Sequence, residues 1–331
     1  MWEVRYSVKP RRLKEGSTVM LIAPSAPPGY PGSGSTLNIG IDYLRRKGLK
    51  VILGDTVKFA LNRGFHSASD EVRARDIMNA FTRDDVDAVW CLRGMSGAFR
   101  VIRLLDYEVI KEHPKVLVGF SDITALQTAV YAKAGVPSLQ APMLDLNVTP
   151  SETGLSRFKR DTDMALSILK GEVMELKPLQ DGPFPRVITP GKASGVMIGG
   201  NLLKFLLPQS IPSFKINPEG KVLFIEEIAL QIHRFDEYLT ALGLLGILGG
   251  VNAIVYGEIP ELREWQVGGS IVESIIDATK TYNPNAPSFL NYPCCHGGDQ
   301  QGLNTYPVPL GINVEVNADD ATVIMKEALV E

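Results

Sequence analysis

Through the first 140 residues, short apolar runs alternate with segments in which apolar residues recur every three or four positions. Residues 18–22, 50–53, 87–92 and 115–120 read as strands. Residues 36–47, 71–81, 99–105 and 122–134 read as helices. In the first of these helices Leu37, Ile41 and Leu44 share a face, and Gly48 is a stop signal. In the last, Ile123, Leu126 and Val130 share a face before Gly135 and Pro137. This βαβα order predicts a parallel sheet covered by helices, with functional groups gathered at the carboxyl ends of the strands.

From about residue 147 to residue 190 the pattern weakens. A polar run at 157–163 precedes Pro178, Pro183, Pro185 and Pro190, which predicts a connection with a short helix near 164–169. Beyond it, 193–198, 222–225 and 253–256 read as strands, and 234–245 and 271–279 as helices. Gly199-Gly200-Asn201 opens another helix through Leu207, and 311–316 with 321–325 reads as a hairpin. The expected organisation is an N-terminal parallel-sheet domain at 1–150, a linker at 151–190, and a smaller α/β mixed-sheet domain at 191–331.

Composition narrows the function classes. With 45 % hydrophobic and 21 % charged residues, the 331-residue chain can bury a sizeable core. A net charge of −3 lacks the basic footprint of a nucleic-acid binder. The start, Met1-Trp2-Glu3-Val4-Arg5, has no apolar signal region, and no run of 18 apolar residues predicts a membrane span. The three cysteines, Cys91, Cys294 and Cys295, point to a reducing compartment, so a cytoplasmic protein is expected. Adjacent cysteines lack zinc-site spacing, and His66, His113, His233 and His296 form no His-x-x-x-His pair, so no metal is expected. Gly32-Ser33-Gly34 is followed by Leu37 where a dinucleotide fingerprint needs glycine, and no P-loop occurs, so no cofactor is expected either.

Several strand ends carry chemistry. Ser121, in Gly119-Phe120-Ser121-Asp122-Ile123-Thr124, lies at a strand-to-helix turn. Such a turn suits a nucleophile, and it equally suits a helix N-cap, because position 123 is Ile and the G-x-S-x-G elbow is incomplete. The glycine-containing loop Arg93-Gly94-Met95-Ser96-Gly97-Ala98-Phe99-Arg100 can form an anion nest or an ordinary turn. Cys91 is a rival nucleophile, or a buried inert thiol. Glu226 and Glu227 end an apolar strand, where an acid either orients a histidine or is a solvated loop residue. His296 precedes Gly297-Gly298, which can free its imidazole, and His233 precedes a helix.

Taken in order, these segments resemble the serine LD-carboxypeptidases and their microcin-C-immunity relatives. The resemblance runs through Leu21-Ile22-Ala23-Pro24-Ser25 and residues 93–100, similar to the family's R-G-G-Y-G-x-x-R. It continues through Gly119–Thr124 (G-x-S-D-x-T), Gly199-Gly200-Asn201-Leu202, Leu223-Phe224-Ile225-Glu226, His296 and Pro309-Leu310-Gly311. It implies an N-terminal domain of flavodoxin- or glutaminase-like type and a Ser121–Glu226–His296 triad. It also implies an oxyanion site between the N–H of Asp122 and an N–H near Gly94 or Met95, and a homodimer. The order Ser, Glu, His requires the two halves to face each other, so the site is expected in the cleft between domains.

The implied activity is cleavage of the amide between an L- and a D-residue, releasing a C-terminal amino acid from a muropeptide-like peptide. A peptidyl or aminoacyl nucleotide is the alternative substrate, and a non-catalytic peptide or sugar binder is a third reading. Immunity-type relatives stack the base on an aromatic near the connection. Here 151–190 holds Phe158 and Phe184 but no Trp, the tryptophans being Trp2, Trp90 and Trp265, which favours the murein-type peptide. The terminal carboxylate of the substrate needs donors, with Arg93, Arg100 and helix N-termini as candidates. Departures from the family bear on preference: Met95-Ser96 for Gly-Tyr, Glu227 for Asp, Gln140 for His, cysteines before His296, and a longer 297–308 segment.

Overall fold

In the computed structural model of the protein, the described residues are 8–29, 36–58, 65–145, 151–177, 184–260, 270–296 and 305–331. Residues 1–5, Gly32-Ser33-Gly34, Trp265 and the 297–304 part of the long segment after His296 lie outside them. The chain forms two compact units. One comprises Glu3–Glu172 with Pro307–Gly311 and Ala328–Glu331; the other is built from Val173–Tyr306 and Ile312–Glu327.

The N-terminal unit contains β1 (Thr18–Ile22), β2 (Lys50–Leu53), β3 (Ala88–Cys91), β4 (Val116–Val118) and β5 (Ser138–Gln140). The C-terminal unit contains β6 (Glu175–Leu176), β7 (Arg186–Thr189), β8 (Lys192–Asn201), β9 (Lys221–Glu226), β10 (Ala253–Gly257) and β11 (Ser288–Tyr292). Strand β12 (Val308–Leu310) returns to the first sheet, and β13 (Asn313–Asn317) and β14 (Thr322–Met325) close the second.

The first sheet has six strands in the order β12-β5-β4-β3-β1-β2, parallel except for β12 against β5. Strands β1, β3 and β4 are wholly buried runs such as Ala-Val-Trp-Cys, as a sheet covered on both faces requires. The second sheet has eight strands in the order β6-β14-β13-β8-β9-β10-β11-β7. Its centre, β8 to β11, is parallel, and β7, β13, β14 and β6 pair antiparallel. The hairpin expected near the C-terminus is β13–β14.

Where a short helix is predicted at 164–169, the chain forms an 18-residue helix, Glu152–Leu169. Ser151 caps it by accepting the Gly154 N–H. Its buried stripe includes Phe158, Asp161, Thr162, Ala165, Leu166 and Leu169. Two polar residues therefore occupy core-facing positions and hide the helical period. Among the described residues, no helix is long and apolar enough to cross a membrane.

Candidate active site

The nucleophile end is made by backbone conformation. Strand β4 stops at Val118, and the helix Ile123–Ala134 begins five residues later. Ser121 turns the chain with φ 62°, in the left-handed region that costs a non-glycine residue on the order of 1 kcal/mol or more. The N-cap position falls on Asp122, whose side chain makes no capping bond. Ser121 is therefore not the N-cap residue of this helix. The turn has the strained strand-to-helix form of a nucleophile elbow.

Gly94 lies directly against this turn. A Cβ built on it would sit 2.8 Å from Ser121 Cβ and 2.9 Å from Ser121 Oγ, so only glycine fits. The next residue, Met95, has φ 84° and is 52 % exposed. Asp122, fully buried, accepts the Ser25 Oγ–H at 2.7 Å and the Ala98 N–H at 2.8 Å through Oδ2. Cys91 is also fully buried, and burial pushes its thiol far up, which removes it as a thiolate nucleophile. Gln140 is buried and donates to Thr124 Oγ1 at 3.1 Å.

Both arginines expected to receive a substrate carboxylate already hold one. Arg93 Nη1 is 3.0 Å from Asp145 Oδ2 and is buried with it. Arg100 Nε is 3.0 Å from each Asp70 oxygen, and the buried Arg73 binds the same Asp70. The two arginines hold Asp70 below the ordinary carboxylate range, by hydrogen bonds first. His66 stands beside Arg73; burial first, then the charges of Arg73 and Arg100, lower its pKa.

The acid–base end is made by buried side chains. Glu226 is the last residue of β9 and fully buried, and His296 is 8 % exposed. His296 Nδ1 lies 2.6 Å from Glu226 Oε2. A carboxylate only accepts, so Nδ1–H donates to it and Nε2 is left as the basic nitrogen. Glu227 has a separate task. Its oxygens accept Asn201 Nδ2 at 2.7 Å, Leu203 N–H at 3.2 Å and Ile228 N–H at 2.9 Å, tying the end of β9 to the helix Leu202–Gln209. Burial first, then the charge of Glu226, raises the Glu227 pKa.

One residue at this end escapes sequence reasoning. Glu258 follows β10, is 2 % exposed, and neither of its carboxylate oxygens has a hydrogen-bond partner among the described residues. Burial pushes its pKa up to about 7. Its signal was an acid just beyond a strand neighbouring the Glu226 strand. Between them, a Cβ at Gly257 would meet Cys294 Sγ at 2.6 Å and Glu226 Cβ at 3.0 Å, so glycine lets the Cys294 thiol pack behind Glu226. His233 is the second residue of the helix Ile232–Leu244 and is exposed, and His113 is the C-cap of the helix Tyr107–Glu112. No group of three or more His, Cys, Asp or Glu suited to a metal occurs among the described residues.

Residues 19–141 match the LD-carboxypeptidase N-terminal domain, and residues 194–316 match the LD-carboxypeptidase C-terminal domain. A probable murein peptide carboxypeptidase of Bacillus subtilis is 29 % identical over 332 residues, covering 98 % of this chain and 96 % of that protein. The muramoyltetrapeptide carboxypeptidase of Oxalobacter formigenes superposes with a TM-score of 0.72 at 24 % identity, over 94 % of this chain and 99 % of that one. The microcin C7 self-immunity protein MccF, solved with glutamyl sulfamoyl guanosine, superposes with a TM-score of 0.83 at 19 % identity, over 98 % of this chain and 99 % of that one. At these identities the two superpositions establish the fold alone.

Proposed function

Because the chain belongs to the LD-carboxypeptidase family, we propose that it is a serine carboxypeptidase that releases a C-terminal amino acid from muropeptide-like LD peptides. The observation that carries this reading is the buried His296 Nδ1–Glu226 Oε2 contact of 2.6 Å, which presets one tautomer of a general base. In the proposed division of labour the N-terminal domain supplies the nucleophile, and the C-terminal domain supplies its base and acid.

Ser121 Oγ attacks the scissile carbonyl carbon, and its proton passes to His296 Nε2. The carbonyl oxygen gains the negative charge and is held by the N–H of Asp122 with that of Gly94 or Met95. When the tetrahedral species collapses, the C–N bond breaks and His296 returns the proton to the leaving amine. Water then repeats the sequence on the acyl-serine. Glu226 holds the imidazole and stabilises the imidazolium without taking its proton. The enzyme acts as a homodimer, which light scattering would check.

Offered an LD-tetrapeptide, the enzyme should release the terminal D-alanine, read by mass spectrometry. Ser121→Ala should lower that rate by at least ~10³-fold. Near-normal release by Ser121→Ala would end the proposal.

A second reading, hydrolysis of peptidyl or aminoacyl nucleotides, has one observation in its favour. Phe158 is buried and offers no stacking face, whereas Phe184 is 89 % exposed. Running a peptidyl-nucleotide panel beside the LD peptides separates the two readings. Phe184→Ala should weaken the nucleotide reaction alone if that reading is right.

A further inference from the structure

Three adjacent strand ends of the first sheet meet at one oxygen atom. Strands β4, β3 and β1 are neighbours, and each leads into a segment that reaches Asp122. After β4 comes Asp122 itself, after β3 comes Ala98, and after β1 comes Ser25. The Ala98 N–H and the Ser25 O–H both donate to Asp122 Oδ2, at 2.8 and 2.7 Å. The two loops are also joined directly, since the Ala26 N–H donates to the Gly94 carbonyl at 3.2 Å. A further shell holds the β1 loop in turn. Ser67 N–H donates to the Ser25 carbonyl at 2.9 Å, and Arg73 Nη1 donates to the Pro24 carbonyl.

Besides these bonds, the loop from Gly94 to Gly97 lies against Ser121 at Gly94 and against Arg73 and His66 at Gly97. It contains no regular structure, Met95 and Gly97 both have positive φ, and Gly94 is in van der Waals contact with Ser121. An oxyanion site tolerates errors of only a few tenths of an ångström, because its donors must meet a charge that develops in the transition state. A bare carboxylate one residue from the nucleophile would oppose that charge. Two donors on Oδ2 spread the negative charge of Asp122 and turn it into a fixed anchor.

On the serine-peptidase reading above, we propose that the Asp122 side chain is the positioning residue that sets the 94–97 loop against Ser121, as distinct from the Asp122 backbone N–H that would contact the oxyanion. Its effect falls on the transition state rather than on binding of the ground state.

The test measures labelling of Ser121 by a fluorophosphonate, kcat and KM for an LD-tetrapeptide, and the affinity for the product peptide. Asp122→Ala should slow labelling and lower kcat by about 10²-fold, with KM and product affinity within about threefold. Asp122→Asn, which keeps an acceptor oxygen, should restore most of what alanine removes. Ser25→Ala, deleting one donor at the anchor, should fall between them, and it decides the matter if Asp122→Ala does not fold. Wild-type labelling rates in Asp122→Ala or Ser25→Ala would overturn the proposal, as would parallel losses in labelling and product affinity. A wild-type protein that takes no label at Ser121 would instead sink the peptidase reading itself.

Discussion

The strand ends of the two sheets do their work by different physical means. At the N-terminal crest, position is set by the main chain: Ser121 and Met95 at positive φ, Gly94 where no Cβ fits, and one carboxylate whose Oδ2 has two donors. At the C-terminal crest, position is set by burying acids. Glu226, Glu227 and Glu258 are all buried, and neither carboxylate oxygen of Glu258 has a hydrogen-bond partner among the described residues. The first region should therefore be sensitive to added atoms, and the second to removed or neutralised charge.

The largest expected effect tests the second half of that contrast. Glu226→Gln keeps the shape but lets the imidazole take the wrong tautomer, and should lower kcat by about 10³–10⁴-fold with little change in KM. Steady-state assays on an LD peptide would read this, and a loss below tenfold would break the comparison. Next, Gly94→Ala adds one methyl group against Ser121, and should slow fluorophosphonate labelling by about 10²-fold. Unchanged labelling would mean the loop yields freely.

Glu258 gives a stability effect with a definite sign. Its folded pKa of about 7 lies above the ordinary 4.5, so the folded state keeps a proton that the unfolded state has lost. Stability on this account falls as pH rises from about 4.5 to about 7 and is flat above. Glu258→Gln removes the penalty, and should be more stable than the parent at pH 8.5 by on the order of 2 kcal/mol, with the gap closing toward pH 4.5. Urea titrations at the two pH values measure it; a variant less stable at pH 8.5 would show that Glu258 is paired in solution. The smallest effect is that of Cys91→Ala, which should leave kcat/KM within about twofold, since this thiol is buried and inert.

The same contrast explains what could be read from residues in order. The strands β1 to β4 and the turn at Ser121 are local features, announced by apolar runs and by glycines. The helix Glu152–Leu169 was largely hidden, because its buried stripe runs through Asp161 and Thr162. Strand β5 is three residues, Ser-Leu-Gln, too short for any period to register. The ion-pair partners of Arg93 and Arg100 could not be read, because Asp145 and Asp70 lie 52 and 30 residues away and only folding brings them together. Glu258 was silent for a related reason: nothing in its neighbours forecasts that, among the described residues, both oxygens would be left without donors.

On the proposed function, Ser121 and the Glu226–His296 pair act as one nucleophile and base. Reaction with a fluorophosphonate, followed by peptide mass spectrometry, tests it most directly. A single adduct on Ser121 is expected, slowed by at least ~10³-fold in His296→Ala. An adduct on another residue, or one that forms on Ser121 equally fast without His296, would contradict it.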